Sequence, residues 1–270
     1  MDRIPFLSVV VLAKNEEESI AACLRSAAFA GEAVVVDSGS VDRTQEIARE
    51  TGARVVVAPW PGDYSVQRNR GDGFATGQWV FQLDADETVS PELAAEIAAF
   101  FASGLDRTCA AGRMPRKEII FGKWVRHGGW YPQHKLRLYR KGSGAWTGRV
   151  HEHYAVRGPI HTFAAPIVHD SYRSVHLFVE KFNRYSSIDA DSEFAAGKPF
   201  RLWKLLFTPL ERFFGRYVRH GGYRDGYHGF AIAALIGLNY FLRYLKLWEK
   251  RYKAGAGRGT APGDGGGGGR

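Results

Sequence analysis

The sequence predicts an α/β fold, a mixed and mostly parallel sheet flanked by helices, with a basic helical region after it. Three observations carry this expectation. Apolar runs of strand length alternate with segments of helical period through the first 110 residues. Two of those runs end in acids, Asp37 and Asp84, and such sheets bind ligands outside the carboxyl ends of their strands. From residue 174 onward the strand signals give way to helical segments rich in Lys and Arg.

The elements follow in order. LSVVVLA (7–13) is a continuous apolar run and a first strand. EEESIAACLRSAAFA (16–30) has a helical apolar period, and EAVVVDSGS (32–40) is a second buried strand ending in an acid and turn formers. SVDRTQEIARETG (40–52) reads as a helix with Ser40 as N-cap and Gly52 as stop. ARVVVAPW (53–60) is a third strand, YSVQRNRGDGFATG (64–77) begins as a helix, and QWVFQLDAD (78–86) is a fourth strand. SPELAAEIAAFFASG (90–104) opens with Ser then Pro, as a capped helix does.

Residues 105–170 are dense in aromatics, Arg and His, and RKEIIFG, KLRLYRK and HEHYAVRG extend the sheet between long loops. The most apolar later stretch, GFAIAALIGLNYFL (229–242), is too short for a bilayer span, which needs about 20 residues. Helical projection sets Trp, Phe and Leu beside Lys and Arg, which suits an amphipathic region lying in a membrane interface. The plain alternative is a packed core helix with a solvated basic face. The Gly-rich end is expected to be disordered, and no internal repeat is evident. The divisions expected are 1–105, 106–173, 174–252 and the tail 253–270.

The net charge of +9 hides an asymmetry. Residues 1–110 hold 9 Lys/Arg against 17 Asp/Glu, and residues 111–270 hold 28 against 11. The basic part should face an anionic partner such as phosphates, nucleic acid or a membrane surface. Two cysteines, Cys23 and Cys109, make neither a disulfide framework nor a metal pattern and fit a reducing, cytosolic setting. The N-terminal apolar segment meets Lys14 and a run of acids, so it is read as a strand and not a signal peptide.

WVFQLDADETV crowds Asp84, Asp86 and Glu87 at one strand end. Like charges there stay ionised only if something compensates them. Two carboxylates in a D-x-D can face one divalent cation, since Mg2+ and Mn2+ take oxygen ligands and bridge carboxylates to substrate phosphates. A solvated acidic turn has the same spacing, so three other features matter. Asp37 is followed by small residues that let a ligand approach; LAKNEEESI follows the first strand; and QRNRG (67–71) lies just upstream of the D-x-D strand. G-x-G-x-x-G is absent. His151 and His153 would share a strand face, but no third zinc ligand is evident. Trp124, Trp130, Tyr131 and Trp146 suit either sugar stacking or burial, and Arg137 and Arg140 either phosphate binding or solvated strand charge.

SVVVLAKNEEESI, VVVDSGSVDRTQEIA, QRNRG and WVFQLDADE occur in order and together resemble the nucleotide-sugar half of a family 2 glycosyltransferase of GT-A fold. GGWYPQHKLRLYRK, GRVHEHY, PLERFFGRYVRHGGYRDGYHGFAIAAL and YLKLWE are similar to the branch near bacterial lipopolysaccharide core β-1,4-glucosyltransferases. The resemblance spans about residues 6–252. It implies an inverting enzyme that takes a nucleoside diphosphate sugar, UDP-glucose at family level, and a lipid-linked saccharide acceptor. It assigns nucleotide-sugar binding to Asp37, Asp84 and Asp86, a Mg2+ or Mn2+ ion to Asp86, and the catalytic base to Glu152 of VHEH; by their place beside those acids, Lys14, Asn15, Glu16, Gln67, Arg68, Asn69 and Arg137 are nominated as nucleotide-sugar-binding with them. It also implies a cytoplasmic protein, peripheral on the inner face of the bacterial inner membrane, with no nucleic-acid partner. Two rivals stand beside it. A nucleotidyltransferase would show a Gly- and Lys/Arg-rich phosphate loop near the first strand, where this chain is acidic. A basic adaptor binding anionic membrane or nucleic acid accounts for the +17 back half and leaves the acidic strand ends unexplained.

Overall fold

The computed structural model describes residues 3–148 and 152–256. Contacts divide the chain into two units, residues 1–124 with 130–171, and residues 125–129 with 172–270. His151 and the greater part of the Gly-rich tail lie outside the described residues.

The first unit begins with β1 (Ile4–Ala13), α1 (Ile20–Ser26), β2 (Ala30–Asp37), α2 (Thr44–Glu50), β3 (Arg54–Val57), α3 (Tyr64–Phe74) and β4 (Trp79–Asp84). After a tight turn come β5 (Glu87–Val89) and α4 (Pro91–Ala102). It continues with β6 (Ala111–Ile120), β7 (Lys123–Trp124), β8 (Gln133–Arg140), β9 (Gly144–Thr147), β10 (His153–Val156), β11 (Ile160–Thr162) and β12 (Ile167–Tyr172). The main sheet runs β3-β2-β1-β4-β8-β6-β12-β5, with β7 and β11 beside β6. Its first four strands are parallel, and β8 joins β4 antiparallel. This is the mixed, mostly parallel, helix-flanked sheet expected for the GT-A class. Val9, Val10, Val11, Val34, Val35, Val36, Val80 and Phe81 are fully buried, which is why these strands read as unbroken apolar runs. Register sets Ala13 opposite Asp37 and Leu12 opposite Asp84, so three strands end at one level.

Local details depart from the sequence reading. Ser40 does not cap α2, which starts at Thr44 with Arg43 before it. Ser40 bonds the Asp37 carboxylate instead, because the acid at the strand end turns the chain back on itself. Ser90 caps α4 as expected, accepting from Leu93 N at 3.2 Å with Pro91 next in line. β9 and β10 do not extend the main sheet; they pair with each other. A Cβ on Gly71 would lie 2.8 Å from Val10 Cγ1, so glycine lets α3 lie close on β1 and aims its polar face at the strand ends.

The second unit holds α5 (Val175–Ala195), α6 (Leu202–Phe214) and α7 (Tyr227–Ala256), with a wide-turn segment at Gly215–Arg219 and a short tight helix at Gly222–Asp225. The helix α7 is longer than its apolar run. It has 30 residues, and Tyr227–Gly255 is long and apolar enough to cross a membrane by length and composition, with 33% of its apolar window buried in the protein. The apolar stretch 229–242 is short of a span by itself, but the helix that contains it continues past Arg243 and Lys246, which ended the apolar count. The unit also reveals a short repeat missed in the sequence. VRHGG occurs at 125–129 and at 218–222, and Gly128 N donates to His220 O at 2.9 Å. Asp225, buried, accepts from His127 N at 2.8 Å and Arg126 N at 3.2 Å, and lies 3.1 Å from His127 Nδ1.

Candidate active site

Parallel strands β1, β2 and β4 deliver three acidic loops to one edge of the sheet. The loop after β4 carries the densest chemistry. Asp84 receives Arg68 on Oδ1 at 2.7 Å and Arg137 on Oδ2 at 2.6 Å. Glu87, fully buried, accepts from Arg137 at 2.8 Å and from Asp84 N at 3.0 Å. It thus both closes the turn and neutralises the arginine. Arg116 lies 3.6 Å from Glu87 and bonds Glu118 at 2.6 Å. His169 joins the rest, with Nε2 3.2 Å from Asp86 and Nδ1 2.8 Å from Glu118.

The electrostatics follow from that geometry. Burial alone would raise the Asp84 carboxyl, but Arg137 and Arg68 outweigh it and hold Asp84 well below the usual range. Burial opposes charge on His169, yet Asp86 and Glu118 at its two nitrogens push it up to about 10. Glu118 is drawn down to about 2, against its own burial, by His169 and Arg116. The crowded acids of DADE are therefore compensated by protein cations from β6, β8, β12 and α3.

Arg68 is the hinge of the arrangement. Its guanidinium, 2% exposed as a residue, donates to Asp84, to Gln82 Oε1 at 2.9 Å and to Glu152 Oε1 at 3.0 Å, and lies 4.8 Å from the Trp146 ring centroid. One cation thus links the D-x-D strand to the acid nominated as base, across 84 residues of sequence.

The other nominated residues form a second cluster at the β1 and β2 ends. Asp37 is fully buried and accepts from Gly39 N, Ser40 N, Ser40 Oγ and Gln45 Nε2. Asn15, at φ 56°, receives Val41 N on its side chain while its N–H donates to Ser40 Oγ at 2.9 Å. Glu16 N donates to Thr44 Oγ1 at 2.7 Å, and Glu16 accepts from Ser19 Oγ at 2.6 Å. Lys14 is exposed beside them. Gln67 ties this cluster to α3 by donating to Ser38 Oγ at 3.1 Å and Ala58 O at 2.8 Å. Asn69 points elsewhere, exchanging two 2.9 Å hydrogen bonds with the Trp146 backbone. Trp146 itself is buried on Tyr139 and Tyr154, so packing is its observed role. Arg140 reaches Asp106 O, and Trp124 packs edge-on to Tyr131 at 5.3 Å.

Sequence reading missed His169, Glu118, Arg116 and Gln82. Three of them left a faint signal, a polar residue in a strand with apolar neighbours: Gln82 in FQLD, Glu118 in KEII and His169 in IVHD. A buried polar group needs a partner: His169 meets Asp86, Arg116 meets Glu87, Glu118 holds both of those cations, and Gln82 holds Arg68. For a divalent ion the donors fit in part. Asp86 can offer a carboxylate oxygen, while His169 Nε2 at 3.2 Å is its ion-pair partner and both Asp84 oxygens already hold arginines. Among the described residues no group of three His, Cys, Asp or Glu makes a complete metal cage. One carboxylate with water and substrate phosphates completing the shell is a usual manner for Mg2+.

Comparison with known proteins accords with the geometry. The family model "Glycosyl transferase family 2" matches residues 8–157. The lipopolysaccharide core biosynthesis glycosyltransferase LpsC of Rhizobium meliloti is 29% identical over 90% of this chain and 92% of its own. An uncharacterized glycosyltransferase of Rickettsia typhi is 30% identical over 92% of this chain and 88% of its own. Among solved structures, Staphylococcus aureus TarS residues 1–349 in complex with UDP covers 92% of this chain and 91% of its own at 16% identity and TM-score 0.46, too distant to bear on function. The chain belongs to glycosyl transferase family 2.

Proposed function

We propose that this family 2 glycosyltransferase moves a hexose, glucose from UDP-glucose as the leading donor, to a lipid-linked saccharide such as lipopolysaccharide core. Transfer is a single displacement with inversion. The observation that carries the reading is the Arg68 bridge, which ties donor-side Asp84 and the base Glu152 to one guanidinium. A sugar hydroxyl is a poor nucleophile at neutral pH, so a carboxylate must take its proton as attack begins. Arg68 occupies Glu152 Oε1, and Oε2 is the oxygen assigned to the acceptor proton. Arg68 and Arg137 orient Asp84 toward the ribose and diphosphate, and the Asp37, Asn15, Glu16, Lys14 and Gln67 loops frame the nucleotide base. Asp86 would hold the Mg2+ or Mn2+ ion through its carboxylate, with His169 fixing that carboxylate from behind as an ion-pair partner. When bound, that ion stabilises negative charge on the leaving diphosphate. One carboxylate base suffices, unlike the pair a glycosidase needs.

The relatedness to LpsC supports the acceptor class. The acceptor is lipid-anchored, so the enzyme works peripherally on the cytoplasmic face of the inner membrane, its basic second unit toward anionic lipid. The test is a thermal-shift panel of nucleotide sugars with Mg2+ or Mn2+. A metal-dependent rise with one UDP-sugar, lost in Asp86→Ala, is the expected result. No rise with any donor in either metal would overturn it.

A further inference from the structure

The second unit presents an apolar face with no partner in its own fold. Leu202, Leu206, Leu210, Phe214 and Val218 follow a four-residue step through α6 and the wide turn after it, each more than half exposed. Trp203 and Phe207 stand beside them, Phe207 at 62% exposure. At 100° per residue the seven fall within an arc of about 160°. The opposite side of α6 is committed to packing. Thr208 is buried, and Leu205 joins the cluster of Ala190, Tyr244 and Leu247. A Cβ on Gly237 would be 3.0 Å from Pro209 O, so glycine lets the two helices close together there. The outer face is thus one side of a firmly seated helix. Soluble proteins rarely expose a contiguous apolar surface of this extent without an occupant.

The surrounding charge selects the occupant. Residues 200–230 carry six Lys/Arg and two Asp/Glu, and one of those acids, Asp225, is buried on backbone N–H groups. A second copy that met this face with its own would bring the same positive charge and be repelled. A bilayer with anionic headgroups complements both features. The helix α7 is the competing element. However, its Arg243 pairs with Asp189 and Glu193, and its Lys246 bonds Asn183, Ser186 and Ser187, so α5 holds its polar middle within the unit.

We infer that the outer face of α6 and the following turn is the membrane-docking element, lying in the headgroup boundary of an anionic bilayer. This deepens the proposed function, resting on its lipid-linked acceptor, by naming the surface that brings the enzyme to that acceptor. The test is flotation of the full chain with phosphatidylcholine vesicles and with phosphatidylcholine–phosphatidylglycerol vesicles, without donor or acceptor. Wild type should float with the mixed vesicles and about tenfold less with the neutral ones. Leu206→Gln/Phe207→Gln/Leu210→Gln should lose about tenfold in partitioning with an unchanged melting profile, because all three positions are exposed. Equal flotation of the triple variant and wild type would overturn the inference. So would equal binding to neutral and mixed vesicles, or retention of the protein through an alkaline carbonate wash, which would make α7 a span. Nucleotide-sugar thermal shifts on the triple variant should match those of wild type, so failure of docking and failure of the transfer reading remain separate results.

Discussion

The acidic strand end in the first unit and the α6 face in the second are opposite solutions to exposure. At the strand end Asp84, Asp86, Glu87, Glu118 and Glu152 meet Arg68, Arg116, Arg137 and His169, and the charges are answered inside the fold. On α6 the apolar side chains of the outer face are each more than half exposed. A buried charge without a partner costs several kcal/mol, so folding had to recruit cations from four distant segments. Exposed apolar groups carry a far smaller penalty and can await an external partner. The first region should therefore be intolerant of change, and the second tolerant in stability but not in location.

Substitutions can break or sharpen that contrast. The largest effect is expected for Glu152→Gln, which removes the base while keeping an oxygen for Arg68. Turnover with a confirmed donor and acceptor should fall about 10^2- to 10^4-fold with the melting temperature nearly unchanged. Asp86→Ala should reduce turnover about 10^2- to 10^3-fold and abolish metal-dependent donor binding, read by calorimetry. Arg137→Met leaves Glu87 fully buried and half-compensated, and should cost about 3–5 kcal/mol in urea unfolding. If Arg137→Met is as stable as wild type, the ionic network is not what holds the strand end. By contrast, the triple glutamine variant on α6 should change unfolding free energy by no more than about 0.5 kcal/mol.

The smallest effect concerns pH. Glu32 lies away from the site and is lowered from 4.5 to about 2, burial being outweighed by Ser8, Thr76 and Arg54. A carboxyl depressed by folding adds stability above its unfolded value, and that stability is lost as pH falls from about 4.5 through about 2. Glu32→Gln should flatten the acid limb of the stability curve in that window. An unchanged limb would show that the partners of Glu32 are not made in solution.

How much was legible depended on the range of each interaction. The Asp37 turn was half visible: the acid and its small neighbours stand together in VVVDSGS, and all four of its donors lie within eight residues. Even there, reading Ser40 as a helix cap failed, because a hydroxyl near a helix start can accept from a backbone N–H or donate to a carboxylate, and local sequence does not rank the two. Arg68 was placed at the correct mouth because QRNRG precedes the D-x-D strand closely. His169 and Glu118 showed only as polar residues in extended chain, with nothing to say what each would meet, since they lie 83 and 32 residues beyond Asp86.

By itself the sequence determined the parallel half of the sheet, its order of strands and helices, and the level at which Asp37 and Asp84 emerge. Those features arise from apolar periodicity and strand length, which are local properties of the chain. Only the tertiary structure decided which cations neutralise the acids, that Glu152 shares Arg68 with Asp84, and which side of α6 is left bare. Each of these is a pairing between residues far apart in sequence, and a pairing is fixed by packing and desolvation when the elements meet, not by the pattern within either one.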